Sequence, residues 1–311
     1  MTEGMVKVDA REAKEKLDGR ILVLGGGGLV GSRFLELYGG DFVVPSKTEL
    51  DITDPEEVRR FIEEQKPDFI INFAAYTNVS GSERPEEKGK KDGQCWRINV
   101  EGVRNILDAL DPKNTHFIQI STDMVFSGKV DDPGPYSEDH PPEKDETKLT
   151  WYGFTKAEAE RLVLNKLGDD ATILRINYPV RAKYNRKLDY LQAPLAKYRE
   201  GNLWPLFTDQ QISITFIDEA CEALARVVKG KYRGIFHAAS SDITTPYEII
   251  PYFIREVEGT EVKVQSRPLG DFEGRYAKYA GLRVEETQRR LGIRFSTWKE
   301  IADELAKQSR T

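Results

Sequence analysis

The chain has 311 residues, enough for one large domain or two modest ones, and at that length about three quarters of the unfolded surface can be buried. Its 46 Lys and Arg against 52 Asp and Glu give a net charge of −6, which leaves no electrostatic footprint for nucleic acid or an anionic membrane. Cys95 and Cys221 lie far apart, and His116, His140 and His237 show no metal-ligand spacing. No apolar run reaches membrane-span length, and Met1 to Asp18 is charged without an apolar leader core; a metal-free cytoplasmic protein with reduced thiols is expected.

The first predicted strand, Ile21 to Leu24, runs into Gly25-Gly26-Gly27-Gly28 and then a helical pattern from Leu29 to Tyr38. Strand, tight turn and helix in that order suit a dinucleotide. The glycines let backbone approach a pyrophosphate, and the free N–H groups at the helix start, around Leu29 and Val30, attract its charge. Two registers fit: Gly26, Gly28 and Gly31 match G-x-G-x-x-G, while Gly25, Gly28 and Gly31 match G-x-x-G-x-x-G. The second strand, Phe42 to Val44, is followed by Pro45-Ser46-Lys47, with no acid to bind an adenosine ribose 2′-hydroxyl. Ser46 and Lys47, with Arg33 as a second cation, are therefore expected to receive a 2′-phosphate. NADP(H) is the preferred cofactor and NAD(H) the alternative.

A helix is predicted over Pro55 to Glu64, its start marked by Thr53-Asp54-Pro55-Glu56-Glu57. Strands at Phe69 to Phe73, His116 to Ser121 and Thr172 to Ile176 then alternate with helices at Trp96 to Ala109 and Tyr152 to Leu167. That order specifies an α/β fold with a Rossmann-like, doubly wound parallel sheet. Ligands of such sheets sit outside the carboxyl ends of the strands. There strand three ends in Asn72-Phe73-Ala74-Ala75-Tyr76-Thr77, whose small residues allow close approach to a cofactor, and strand four ends in Ser121-Thr122-Asp123. Tyr152 and Lys156, four residues apart, share one helix face, so an ammonium can stand near a phenol and lower its pKa toward neutrality.

Two charged runs, Ser82 to Gly93 and Gly134 to Lys148, read as solvated loops or as covers of the site. Beyond strand five the alternation breaks down. A basic and aromatic stretch, Tyr178 to Leu206, precedes a helix at Ile217 to Val228 and a strand at Gly234 to Ala239. This predicts an NAD(P)-binding domain of residues 1–176 and 209–239 and a smaller, discontinuous substrate-binding lobe of 177–208 and 240–311.

Six further motifs join Gly25-x-x-Gly28-x-x-Gly31: Leu50-Asp51-Ile52-Thr53-Asp54, the stretch Lys66 to Val79, Asn99-Val100-Glu101-Gly102, the stretch Ile120 to Gly128, Tyr152-Gly153-Phe154-Thr155-Lys156, and Thr208-Asp209-Gln210-Gln211. With them the chain, from about Arg20 to Ala306, resembles the extended short-chain dehydrogenase/reductases and, within them, the dTDP-4-dehydrorhamnose reductase-like branch. The resemblance implies reduction of a 4-keto nucleotide sugar. Thr122 would hydrogen-bond the sugar carbonyl, Tyr152 would protonate it, Lys156 would depress the tyrosine pKa while holding the nicotinamide ribose, and Asn99 would support the proton relay. Asp51 and Ile52 would line the adenine; Ala74, Ala75, Tyr76 and Ser121 would contact the cofactor, and Asp123, Met124 and Tyr178 the substrate.

Departures from the branch concern the substrate. Met124 stands where the branch has tyrosine, and where a nucleotide-sugar 4,6-dehydratase needs glutamate. Arg175-Ile176-Asn177-Tyr178 replaces Arg-Thr-Ser-Trp, Ile214 replaces a proline, and no Arg-Pro dipeptide occurs around Ala280-Gly281-Leu282. The family's second lobe grips the nucleotide diphosphate, for which Arg181, Lys183, Arg186 and Lys187 are the cations at hand. The alternatives are a nucleotide-sugar epimerase that retains its cofactor and a catalytically lapsed NADP-binding regulatory subunit. A homodimer is expected.

Overall fold

Six apolar segments pair side by side. In the computed structural model, which describes residues 14–272 and 276–310, β1 (Glu15–Leu24), β2 (Tyr38–Val43), β3 (Phe69–Asn72), β4 (His116–Thr122), β5 (Thr172–Ile176) and β6 (Gly234–Ala238) form one parallel sheet. Its order is β2-β1-β3-β4-β5-β6. The expected N-terminal segment lies outside the described residues up to residue 13.

Consecutive residues of the inner strands point to opposite faces, and both faces are covered, so the strands read as unbroken apolar runs. Ile21, Val23, Ile71 and Ile118 pack with α1 (Leu29–Leu37) and α6 (Ile217–Gly230), through Phe34, Ile217 and Cys221. Leu22, Leu24, Ile70 and Phe117 pack on the other face. They meet Val58 and Ile62 of α2 (Pro55–Gln65), Val103 and Ile106 of α3 (residues 94–109), and Ala159 and Val163 of α4 (Trp151–Leu167). Asp54 caps α2 as its sequence promised, accepting the Glu56 and Glu57 N–H groups at 2.9 and 3.0 Å ahead of Pro55.

Two elements extend past their apolar patterns. β1 begins at Glu15 and β2 at Tyr38, because Glu15 and Lys16 pair with Tyr38 and Gly39 before a bulge precedes Arg20. Main-chain bonds at a sheet edge carry polar residues that hydropathy cannot flag. α3 runs through Gln94–Trp96, Arg97–Glu101 and Gly102–Ala109, and its middle segment is wound as a π-helix.

A second core gathers Val180, Leu191, Ile212, Ile214 and Phe216 around α7 (Pro246–Glu258) and α9 (Trp298–Arg310). Leu282, Val284, Leu291 and Phe295 instead pack into the sheet's core. Apolar packing thus crosses the boundaries expected at residues 209 and 240. The cause is α8 (Glu285–Leu291), which Thr287 pins to β6 by accepting the His237 N–H at 2.8 Å.

α4 is tied to β5 by a fully buried ion pair. Arg175 meets Glu160 through Nε at 3.0 Å and Nη2 at 2.7 Å, and its guanidinium lies 4.8 Å from the Phe126 ring centre. His237 Nδ1 donates to the Arg283 carbonyl at 2.8 Å, so Nε2 accepts from Arg175 at 3.3 Å. Burial, then the Arg175 charge, push the His237 pKa down to about 3 and keep it neutral. Glu160→Leu should strand the Arg175 charge and cost about 3–5 kcal/mol of unfolding free energy in urea, while Glu160→Leu with Arg175→Met should recover most of it. A single variant within about 1 kcal/mol of wild type would contradict this account.

Candidate active site

The turn after β1 closes with the Gly28 N–H on the Gly25 carbonyl at 2.9 Å. Gly25 has φ +73° and lies so close to β3 that a Cβ would stand 2.6 Å from the Ala74 nitrogen; a Cβ at Gly31 would stand 2.8 Å from the Gly25 oxygen. A Cβ at Gly26 would likewise stand 2.5 Å from Val44 Cγ1, so both glycine registers fit the turn, and only Gly25 also has a positive φ. The turn opens on a cleft of about 1130 Å³ along the carboxyl ends of β1, β3 and β4. Gly25, Gly28, Leu29, Val30, Gly31, Ser46, Lys47, Asp51, Ile52, Ala74, Ala75, Ser121, Thr122, Asp123, Met124, Tyr152, Lys156 and Tyr178 all line it.

Three expected residues, Asn99, Tyr76 and Arg33, do not line the cleft. Asn99, aimed by the π-wound segment of α3, accepts the Tyr76 N–H at 2.8 Å and donates to the Tyr76 carbonyl at 3.2 Å and to Thr155 Oγ1 at 2.9 Å. It ties the loop after β3 to α4 and has no bond to Tyr152 or Lys156. Tyr76 is held by its backbone in this arrangement, and Thr77 takes its place along the cleft. Arg33 is also corrected: it forks onto Asp218 of α6 at 2.7 Å through both Nε and Nη2, away from the cleft. At the end of β2 the Ser46 N–H donates to Glu49 at 2.8 Å, an acid lining the cleft that no strand-end motif reveals. Asp51 accepts the Thr53 N–H and hydroxyl at 2.9 and 2.8 Å.

The N-terminus of α4 is held from three sides. Thr150 accepts the Gly153 N–H at 3.1 Å, Glu83 the Trp151 N–H at 2.6 Å, and Ser82 the Tyr152 N–H at 3.2 Å. Glu87 accepts the Cys95 N–H at 2.9 Å and so caps α3. The first charged run thus caps two helices through Ser82, Glu83 and Glu87, while Arg84 to Glu86 and Lys88 to Asp92 are exposed. The second contributes Tyr136, stacked on Phe126 at 4.1 Å, and Glu138, which accepts the Thr287 N–H at 3.0 Å. Gly153 lies directly on the Met124 carbonyl oxygen, with which any Cβ would collide. That contact sets Tyr152 beside the end of β4.

Thr122, Asp123, Tyr152 and Lys156 form one buried cluster. Tyr152 stands beside Thr122, whose hydroxyl donates to Asp123 at 3.2 Å. Lys156 Nζ donates to the Ile120 carbonyl at 2.7 Å. Burial lowers the Lys156 pKa to about 8, and burial raises that of Asp123 to about 7. Tyr152 departs from expectation: burial first, then the Asp123 charge, hold its pKa above the ordinary tyrosine value. Lys156 does not offset this, since its ammonium is turned onto the backbone.

Tyr178, a bulky residue at φ 41°, has its hydroxyl 3.4 Å from Gln210 Nε2 and its ring 4.3 Å from that of Tyr190. With Asp123 and Met124 it also borders a second cavity of about 430 Å³, whose rim carries Lys129, Lys148 and Lys278. These lysines sit in charged runs or loops with no spacing signal. Arg181, Lys183, Arg186 and Lys187 do not line that cavity; Arg181 instead reaches Glu36 and Ser32 of α1 at 2.7 and 3.0 Å. Among the described residues no group of three metal-ligating side chains occurs, and no helix is long and apolar enough to cross a membrane.

The sequence profile of the RmlD substrate binding domain matches residues 19–311. The chain is 30% identical to the dTDP-4-dehydrorhamnose reductase of Aggregatibacter actinomycetemcomitans over 74% of this chain and 76% of that protein. It is 28% identical to a probable low-salt glycan biosynthesis reductase of Haloferax volcanii, over 72% of this chain and 71% of that one. Its fold matches the crystal structure of dTDP-4-dehydrorhamnose reductase from Bacillus anthracis in complex with NADP, with a TM-score of 0.77, 23% identity, and coverage of 94% and 99% of the two chains.

Two outcomes follow from this geometry. Gly153→Ala should force α4 away from Met124, destabilising the fold by about 1–3 kcal/mol in denaturant and disordering the Tyr152–Thr122 contact. Asp123 binds a proton more tightly folded than unfolded, so the stability carried by its protonated form is complete below about pH 3.8 and is lost as pH rises through about 7. Asp123→Asn does not titrate; its unfolding free energy should gain on wild type across that window and stay level above it. A gap that does not change with pH would refute the burial of a charged carboxylate.

Proposed function

The chain belongs to the RmlD substrate binding domain family, and on that premise we propose that it is an NAD(P)H-dependent reductase of a 4-keto nucleotide sugar, of the dTDP-4-dehydrorhamnose reductase kind. The observation that carries the reading is the buried Thr122, Tyr152 and Lys156 cluster at the inner end of the long cleft. The cleft fits a dinucleotide: its glycine turn leaves no room for a Cβ at Gly25, and the buried Ser121 hydroxyl that lines it has no partner among the described residues. NADP(H) is the preferred cofactor, with NAD(H) second.

When bound, reduced nicotinamide supplies the hydride that the ketone carbon gains. Thr122 holds the ketone oxygen, and Tyr152 gives that oxygen its proton as negative charge develops there. A phenol whose pKa is raised keeps its proton until the substrate oxygen becomes basic enough to take it, which suits the reductive direction. Lys156, which lines the cleft, would hold the nicotinamide ribose, and Asn99 positions the loop after β3 without touching reactants. Met124 places a thioether where a dehydratase would need a carboxylate, so elimination has no base there. The nucleotide sugar enters the second cavity beside Met124 and Tyr178, between the two cores. The same reading makes the protein a cytoplasmic homodimer that does not bind nucleic acid.

Purified protein supplied with NADPH and dTDP-4-dehydrorhamnose should oxidise the cofactor, and Tyr152→Phe should lower kcat by about 10²–10⁴-fold while the protein stays folded. Undiminished turnover in that variant would sink the proton-donor role. A wild-type protein inert toward this substrate would sink the substrate assignment.

A further inference from the structure

The segment leaving β5 forms a closed loop over the glycine turn. Its base is fixed by Asp189, which accepts the Arg181 N–H at 2.9 Å and those of Leu191 and Gln192 at 2.9 Å each, and by the Arg181–Glu36 ion pair. Between these anchors Tyr184 donates its hydroxyl to the Gly27 carbonyl at 3.0 Å, and Arg186 donates Nη1 to the same oxygen at 3.1 Å. Tyr184, Arg186, Lys187 and Leu188 all line the dinucleotide cleft, and Leu188 does so with 53% of its surface exposed.

The turn has no cation of its own. Arg33, the first basic residue after it, is committed to Asp218, and the Ser46 N–H to Glu49. Among the described residues lining the cleft the basic ones are Lys47, Lys156, Arg186 and Lys187, and Lys156 is bonded to Ile120. The guanidinium passes close over Gly27, where a Cβ would stand 3.0 Å from Arg186 Nη1. One of five N–H donors meets the Gly27 carbonyl, which leaves a planar fork at the place where a helix N-terminus attracts phosphate.

We propose that Arg186 is a cofactor-binding residue whose guanidinium takes a phosphate oxygen of the dinucleotide above the glycine turn. The proposal rests on the dinucleotide reading of the cleft. The phosphate is either the pyrophosphate or the 2′-phosphate, and the two can be separated by experiment.

The full-length protein and Arg186→Ala would be titrated with NADPH and with NADH, following nicotinamide fluorescence, beside a thermal melt of each. The Kd for NADPH should rise about tenfold, the weight of one charge-assisted hydrogen bond. The melting temperature should hold, because Arg186 is exposed. A rise shared by NADH identifies the pyrophosphate, and a rise confined to NADPH identifies the 2′-phosphate. Unchanged Kd values in the variant would overturn the role of Arg186 while leaving the cleft a dinucleotide site; failure of wild type to bind either dinucleotide would overturn both.

Discussion

The approach of α4 to the end of β4 is the constraint on which the site depends. Gly153 lies against the Met124 carbonyl with no room for a side chain, which sets Tyr152 beside the end of β4 that carries Thr122. The contact is held at its far end by Arg175 and Glu160, a charged pair buried without exposure between α4 and β5. It is held at its near end by Thr150, Ser82 and Glu83, which occupy the free N–H groups of the first turn. A helix fixed at its first turn and at its middle holds its side chains in a narrow range of positions.

Burial governs the electrostatics of that cluster. Removing Asp123, Tyr152 and Lys156 from water disfavours every charged form, which raises the two acids and lowers the lysine. The attraction expected between Tyr152 and Lys156 is outweighed, because the ammonium is spent on the Ile120 carbonyl while Asp123 stands close by. The site is thus poised with its proton on the phenol. Asp123 is the neighbour whose charge changes near neutrality.

The loop after β5 joins the two cores by the same economy of contacts. Arg181 binds α1, Asp189 closes the loop base, and Tyr184 and Arg186 rest on the glycine turn. Tyr178, just upstream, adopts a left-handed backbone that brings its ring to the boundary of both cavities. The two cavities therefore share Tyr178, Asp123 and Met124, next to the buried Tyr152.

The sequence by itself determined the features that leave a residue no alternative. A turn pressed against β3 requires glycine at Gly25, strands covered on both faces require unbroken apolar runs, and the spacing of Tyr152 and Lys156 survives in any helix. These made the sheet, the turn and most of the cleft legible in advance. Only the tertiary structure decided which partner each long polar side chain would take. Arg33 turned to Asp218, Arg181 to Glu36, Asn99 to Thr155, and Glu83 and Glu87 to helix ends in place of solvent. A flexible charged side chain can reach several partners at similar energy, so its choice depends on which groups the packed elements bring within about 3 Å, and no local pattern records that distance.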